Sequence, residues 1–145
     1  MEAFSPVPRN KHDFERLNAL VAAGPSAAVP FLDELLHWLQ DINWPIAPPL
    51  ADFLITVGAP LLPHLRKVLK SHDDMWIYWV LRYVVARLPS HLVRELRKEI
   101  DALVGVAEND HVAFCVGSSA GVWDDQELRY MLANRINQFA IMSAT

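Results

Sequence analysis

Ten prolines in 145 residues restrict what this sequence can build, because of where they fall. Proline inside a helix removes a hydrogen bond and clashes with the carbonyl four residues back, whereas in the first turn its missing N–H costs nothing. Pro30, Pro48, Pro49, Pro60 and Pro63 each stand at the head of a stretch whose apolar residues recur at steps of three and four. That spacing is helical, and no convincing strand-like run competes with it. The expectation is an all-α fold: stacked antiparallel helical hairpins forming a HEAT- or armadillo-like right-handed superhelix of about 6–8 helices.

The punctuation predicts the individual helices. Asn10 to Asp13 opens a first helix with Phe14, Leu17, Leu20 and Val21 inward, closed by Gly24-Pro25. Ser26 is the expected cap of a second, striped by Val29, Leu32, Leu35, Leu36 and Leu39, with Pro30 in its first turn. A third begins near Ala47 and runs through Leu50, Phe53, Leu54 and Val57 to Gly58. The fourth starts at Pro60–Pro63, with Leu61, Leu62, Leu65, Val68 and Leu69 inward and His64, Arg66, Lys67 and Lys70 outward. The fifth, about Asp74 to Leu88, is apolar nearly all round and is expected at the centre. Ser90 is read as capping a sixth through Leu92, Leu96, Ile100 and Leu103. A last helix from Asp124, with Glu127 three residues on, carries Leu128, Met131, Leu132, Ile136 and Phe139. Val112 to Val116 is read as a further short helix.

An internal repeat accompanies these helices. Ala28–Leu32 corresponds to Leu61–Leu65 at a shift of 33, and Asp41–Trp44 to Asp73–Trp76 at a shift of 32. Each unit is a proline-started helix, an Asp-x-x-Trp turn and a second helix, a period typical of stacked hairpins. The expected organisation is one domain over 1–145. It comprises a flexible segment at 1–9, HEAT-like repeats at 10–104 and divergent C-terminal helices at 105–145.

Composition narrows the function classes. A sequence that is 52% apolar and 21% charged is globular rather than disordered. The single cysteine, Cys115, can form neither an internal disulfide nor a thiolate zinc site, and between Phe114 and Val116 it reads as a buried thiol in a reducing compartment. The start, Met1 to Pro6, lacks the basic and apolar stretches of a signal peptide, and no apolar run spans a membrane, so a cytoplasmic protein is expected. The net charge of −4 is a sum of blocks: −4 over residues 1–60, +4 over 61–100 and −4 over 101–145. The basic band reads as solvated helix faces. Nucleic-acid binding through it is unfavoured in a protein that is acidic as a whole.

Two segments carry a resemblance. Trp38 to Ala47, reading WLQDINWPIA, and Val68 to Trp79, with DDMWIYW near its end, are similar to motifs of domain-of-unknown-function family 5071, as is the opening Asn10 to Asp13. The likeness covers about residues 8–100, and Gly105 to Val122 has no counterpart in it. It implies an all-helical HEAT-like fold and a bacterial origin, and supplies no activity.

Several residue sets invite a chemical reading. Asp33, His37 and Asp41 share one helical face and pair carboxylates with an imidazole, as metal or acid–base sites do. Three such positions span about 12 Å at 1.5 Å per residue, too far for one ion, so a solvated face is expected and no metal. Gly117 to Gly121 matches the G-x-S-x-G elbow, yet no histidine follows His111 and no parallel sheet is predicted, so it reads as a bend. Asp41 and Asp73 or Asp74 are expected to cap the helices that follow them. Arg82, on the apolar fifth helix, is expected to reach Glu34 or Asp41, or to floor a concave surface. The candidate binding set is Trp38, Asp41, Asn43, Trp44, Asp74, Trp76, Tyr78, Trp79 and Arg82. No catalytic group and no cofactor is expected. The leading function is binding of another protein, of adaptor or immunity type. The alternatives are a small-molecule or metal-dependent enzyme at the Trp/Asp cluster and nucleic-acid binding through the basic band.

Overall fold

The computed structural model describes residues 7–105 and 125–143, and among these every regular element is helical. The helices are α1 (Phe14–Ala23), α2 (Pro25–Ala28), α3 (Leu32–His37), α4 (Ala47–Ile55), α5 (Leu62–Leu69), α6 (Asp74–Tyr83), α7 (Ser90–Glu95), α8 (Arg97–Leu103) and α9 (Asp125–Ser143). Three single-turn 3₁₀ segments, Val29–Phe31, Ala59–Leu61 and Val85–Arg87, lie between them. Residues 106–124 lie outside the described residues, and with them the expected Val112–Val116 helix, the Gly117–Gly121 bend, Cys115 and the Asp124 cap.

The periodic stripes become the core. Leu32, Leu35, Leu36 and Leu39, then Leu50 and Leu54, then Leu61 and Leu65 are almost wholly removed from solvent, as are Val80, Leu81 and Leu96. Each such burial contributes about 1.5–3 kcal/mol, so these stripes are what position everything else. Helix α6 is central: it packs on α4, α5 and α9. Helix α9 buries Leu128, Met131, Leu132, Ile136 and Phe139 and lies against α6, α7 and α8.

The helices are shorter than the stripes suggest, and the breaks have local causes. Pro30 lacks the N–H that would continue α2, so Val29–Phe31 tightens to 3₁₀ and α3 restarts at Leu32. Val29 is exposed rather than inward, and so are Phe14 and Val21 on α1. At the end of α6, Arg87 N–H bonds Val84 O at 3.0 Å while the Arg87 guanidinium (Nε) takes Tyr83 O at 2.8 Å. A guanidinium thus satisfies the carbonyl an α-helical amide would have used, and the helix tightens there. Helix α4 stops at Ile55, short of Gly58, whose φ of +78° turns the backbone into the next 3₁₀ segment. The long sixth helix expected from Ser90 divides at Leu96 into α7 and α8, a break that nothing in the structure explains.

Capping corrects two sequence expectations. Gly24, not Ser26, precedes α2, and Pro89, not Ser90, precedes α7; neither position supplies a capping hydrogen bond from its own side group. Asp13 caps α1, accepting from Arg16 N–H at 3.3 Å, and it also takes the Arg9 backbone N–H and Nε, each at 2.9 Å. Hydrogen bonds from the Arg9 guanidinium and backbone hold this carboxyl well below the usual carboxylate range.

Candidate functional site

Helix α6 starts on Asp73, whose carboxylate accepts from Trp76 N–H at 3.2 Å. That cap fixes the rotation of the helix and hence where its aromatics go. Trp76 is half-buried, stacks on His37 of α3 with ring centroids 4.9 Å apart, and donates Nε1–H to Leu36 O at 2.8 Å. Further along, Tyr78, Trp79 and Tyr83 form a row with centroid separations of 5.0 and 6.0 Å. All three are half-buried: one side packs on the core and the other faces water. Arg82 lies exposed beside the row and donates Nη1–H to Tyr78 Oη at 2.7 Å. That bond, helped by the phenols of Tyr78 and Tyr83, holds Arg82 above the ordinary arginine pKa. The expected pairing of Arg82 with Glu34 or Asp41 is therefore incorrect. The apolar pattern of α6 suggests burial, but its Arg82 side faces solvent.

The remaining candidates separate into two further places. Trp38 and Trp44 meet edge to face at 5.5 Å. Asp41 does not cap α4. Its carboxylate accepts from Asn43 N–H at 2.9 Å in a local turn, and its backbone carbonyl takes Trp44 N–H at 3.1 Å. Asp74 is in the first turn of α6, on the rim of a cavity of about 390 Å³ shared with Lys70, His72, Glu99 and Phe139. The structure thus gathers Trp76, Tyr78, Trp79 and Arg82 on one helix and pairs Trp38 with Trp44. No ring contact among the described residues joins the two groups.

Asp33, His37 and Asp41 also part company. Asp33 accepts from Lys67 Nζ at 3.0 Å and is 2.6 Å from His64 Nδ1, both on α5. The His64 bond first, then the Lys67 bond, lowers its pKa. His37 goes to Trp76, and Asp41 to its own turn. No group of three His, Cys, Asp or Glu residues among the described ones could hold a metal ion. Around Asp33 there is instead a cleft of about 260 Å³ lined by Leu36, His37, His64, Lys67, Val68 and Trp76. Helical periodicity puts His64 and Lys67 on a solvated face and misses this cleft. A signal exists: Asp33 is 31 residues from His64 and 34 from Lys67, bracketing the 33-residue repeat shift.

Cations of the basic band pair partly with the acidic blocks and partly within the band itself, as Arg66 does with Glu99. Besides Lys67–Asp33, Arg87 Nη1 is 2.7 Å from Asp52, Arg66 Nε is 3.2 Å from Glu99, and Arg97 Nε is 3.8 Å from Asp101. Asp101 is 1% exposed and also takes Arg135 Nε of α9 at 2.9 Å. No helix among the described residues is long and apolar enough to cross a membrane.

No curated relative of this protein is detectable. The profile of a domain of unknown function, DUF5071, matches residues 6–117, which extends the likeness past residue 100 into the stretch read from sequence as lacking a counterpart. With all but the last of the described helices inside that match, the protein belongs to the DUF5071 family.

Proposed function

We propose that this protein is a HEAT-like helical module that binds another protein through the face of α6 bearing Tyr78, Trp79, Arg82 and Tyr83. The carrying observation is the half-buried aromatic row with an exposed arginine beside it, on the helix at the centre of the core. Interface hot spots are enriched in Trp, Tyr and Arg, and such residues bind most strongly when a rigid scaffold already holds them in place.

The stacked architecture draws support from the spacing of the ion pairs between helices. Asp33–Lys67, Glu99–Arg66, Asp101–Arg135 and Asp52–Arg87 join residues 34, 33, 34 and 35 apart in sequence. A backbone that returns beside itself every 33–35 residues has the period of a two-helix solenoid unit. Three of these pairs engage cations of the basic band, Arg66, Lys67 and Arg87, which supports a protein over nucleic acid as partner. One α-helical domain acting in a bacterial cytoplasm, as an adaptor or immunity-type protein, is the setting this reading implies.

The test is affinity capture from the native host with wild type, Trp79→Ala, Tyr83→Ala and, as control, Glu34→Ala on the outer face of α3. The expected result is one polypeptide retained by wild type and by Glu34→Ala but lost from both aromatic variants, with helical circular dichroism unchanged. Equal retention by all four proteins overturns the proposed face.

A further inference from the structure

Between α6 and α9 is a cavity of about 410 Å³, within the size range of small-molecule sites. Its apolar wall is Ala86, Leu132, Ala133 and Ile136, and its polar groups are Tyr78, Arg82, Arg129 and Asn137. Two guanidiniums line this space, and no carboxylate does among the described residues. Arg129 spends its two Nη groups on the carbonyls of Ala86 and Leu88, which orient it and, among the described residues, pair it with no carboxylate. Arg82 gives one N–H to Tyr78 Oη, and its four other donors have no partner among the described residues. Because Tyr78 Oη accepts that bond, its own O–H is free to donate. The cavity therefore offers the Arg82 fork, a hydroxyl donor and an amide over an apolar wall, with two guanidinium charges beside it. A planar bidentate anion fits that fork better than a halide, and the apolar wall asks for an attached hydrocarbon body.

We propose that this cavity binds an organic carboxylate carried on an apolar body, its two oxygens on Arg82 and the Tyr78 hydroxyl and its apolar part against Leu132 and Ile136. Arg129 supplies the second positive charge while tying α9 to the end of α6. The site goes beyond the protein-binding face. It borrows Tyr78 and Arg82 from it, but it needs neither Trp79 nor Tyr83.

The test uses two probe pairs on the full-length protein: 4-phenylbutyrate against 4-phenylbutanamide, and N-acetyl-Leu-Phe as free acid against its amide. Binding is read from ¹H–¹⁵N shift changes and from tryptophan fluorescence, since Trp79 adjoins Tyr78. At least one acid is expected to shift α6 and α9 resonances at concentrations of up to about 1 mM, a binding free energy near −4 kcal/mol, with its amide at least tenfold weaker. Binding of phenylbutyrate alone assigns the site to a free small carboxylate, and binding of the peptide acid alone to the terminal carboxylate of a polypeptide. Arg82→Gln is expected to reduce acid binding to the level of the amide, while Tyr78→Phe weakens it by a smaller factor. Equal binding of acid and amide, acid binding unchanged in Arg82→Gln, or no shift at α6 and α9 with either acid overturns the proposal.

Discussion

Asp33 and Asp101 carry the same chemistry in opposite surroundings. Each is a carboxylate with two basic side groups against it, one of them 34 residues away in sequence: Lys67 for Asp33, Arg135 for Asp101. The carboxylate-bearing group of Asp33 is 49% exposed and that of Asp101 is 1% exposed. In water the attraction is screened and offset by the entropy of holding long side groups, so an exposed pair contributes roughly 0–1 kcal/mol. In the interior, loss of one partner strands the other without solvent, at about 3–5 kcal/mol. Ion pairs of near-identical sequence spacing thus do different work. The Asp101 cluster fixes where α9 docks, and the Asp33 cluster leaves its groups accessible in a cleft.

The comparison can be broken at its strong end first. Asp101→Ala should lower the unfolding free energy by about 3–5 kcal/mol in urea titration, because Arg97 and Arg135 then lose a buried counter-charge. A loss below about 1 kcal/mol would put Asp101 in the same class as Asp33. The double variant Asp101→Leu with Arg135→Met should cost less than Asp101→Ala alone, since removing both charges leaves fewer stranded. Asp73→Ala should cost about 1 kcal/mol, the worth of the N-cap on α6; here an exposed carboxylate matters through backbone amides rather than through a cation.

At the weak end, Asp33→Asn should cost about 0.2–1 kcal/mol, and 1 M NaCl should abolish the difference while leaving the Asp101 effect largely intact. Acid gives a second handle on the same pair. The folded carboxyl of Asp33 titrates below its unfolded value of about 4, so its contribution is fully present above that pH and fades as pH falls through the folded value. The stability gap between wild type and Asp33→Asn should therefore close as pH falls below about 4. A gap that opened on acidification would reverse the assigned sign. Asp13, whose carboxyl is held lower by Arg9, should add to the same acid-side loss.

Much of the helix placement was legible in the sequence because apolar spacing and proline position act locally. The start of α4 at Ala47, the inward side of α5 and the five buried residues of α9 follow from those signals alone. What escaped reading was set by competition between neighbours. The two Asp-x-x-Trp turns look equivalent, yet Pro45 follows Trp44 and pushes it out of helical geometry, so Asp41 folds onto Asn43 while Asp73 caps α6. The charged outer face of α5 was legible as a face, but its partner on α3 was not. That contact depends on how α3 and α5 pack together, which no single helix could state. The cavity holding Arg82 needed α9, and nothing in the local pattern of α6 announced what would lie across from it.

The position of α9 has a consequence for how the protein is made. Helix α6 is buried on one side by α4 and α5, which precede it, and on another by α9, which is synthesised after all of them. During translation the earlier helices can associate as they emerge, but the flank of α6 that α9 covers stays open until residues 125–143 leave the ribosome. Completion of the core is thereby tied to the synthesis of α9. In the interval, an unfinished polypeptide displays the apolar surface that chaperones and proteases recognise.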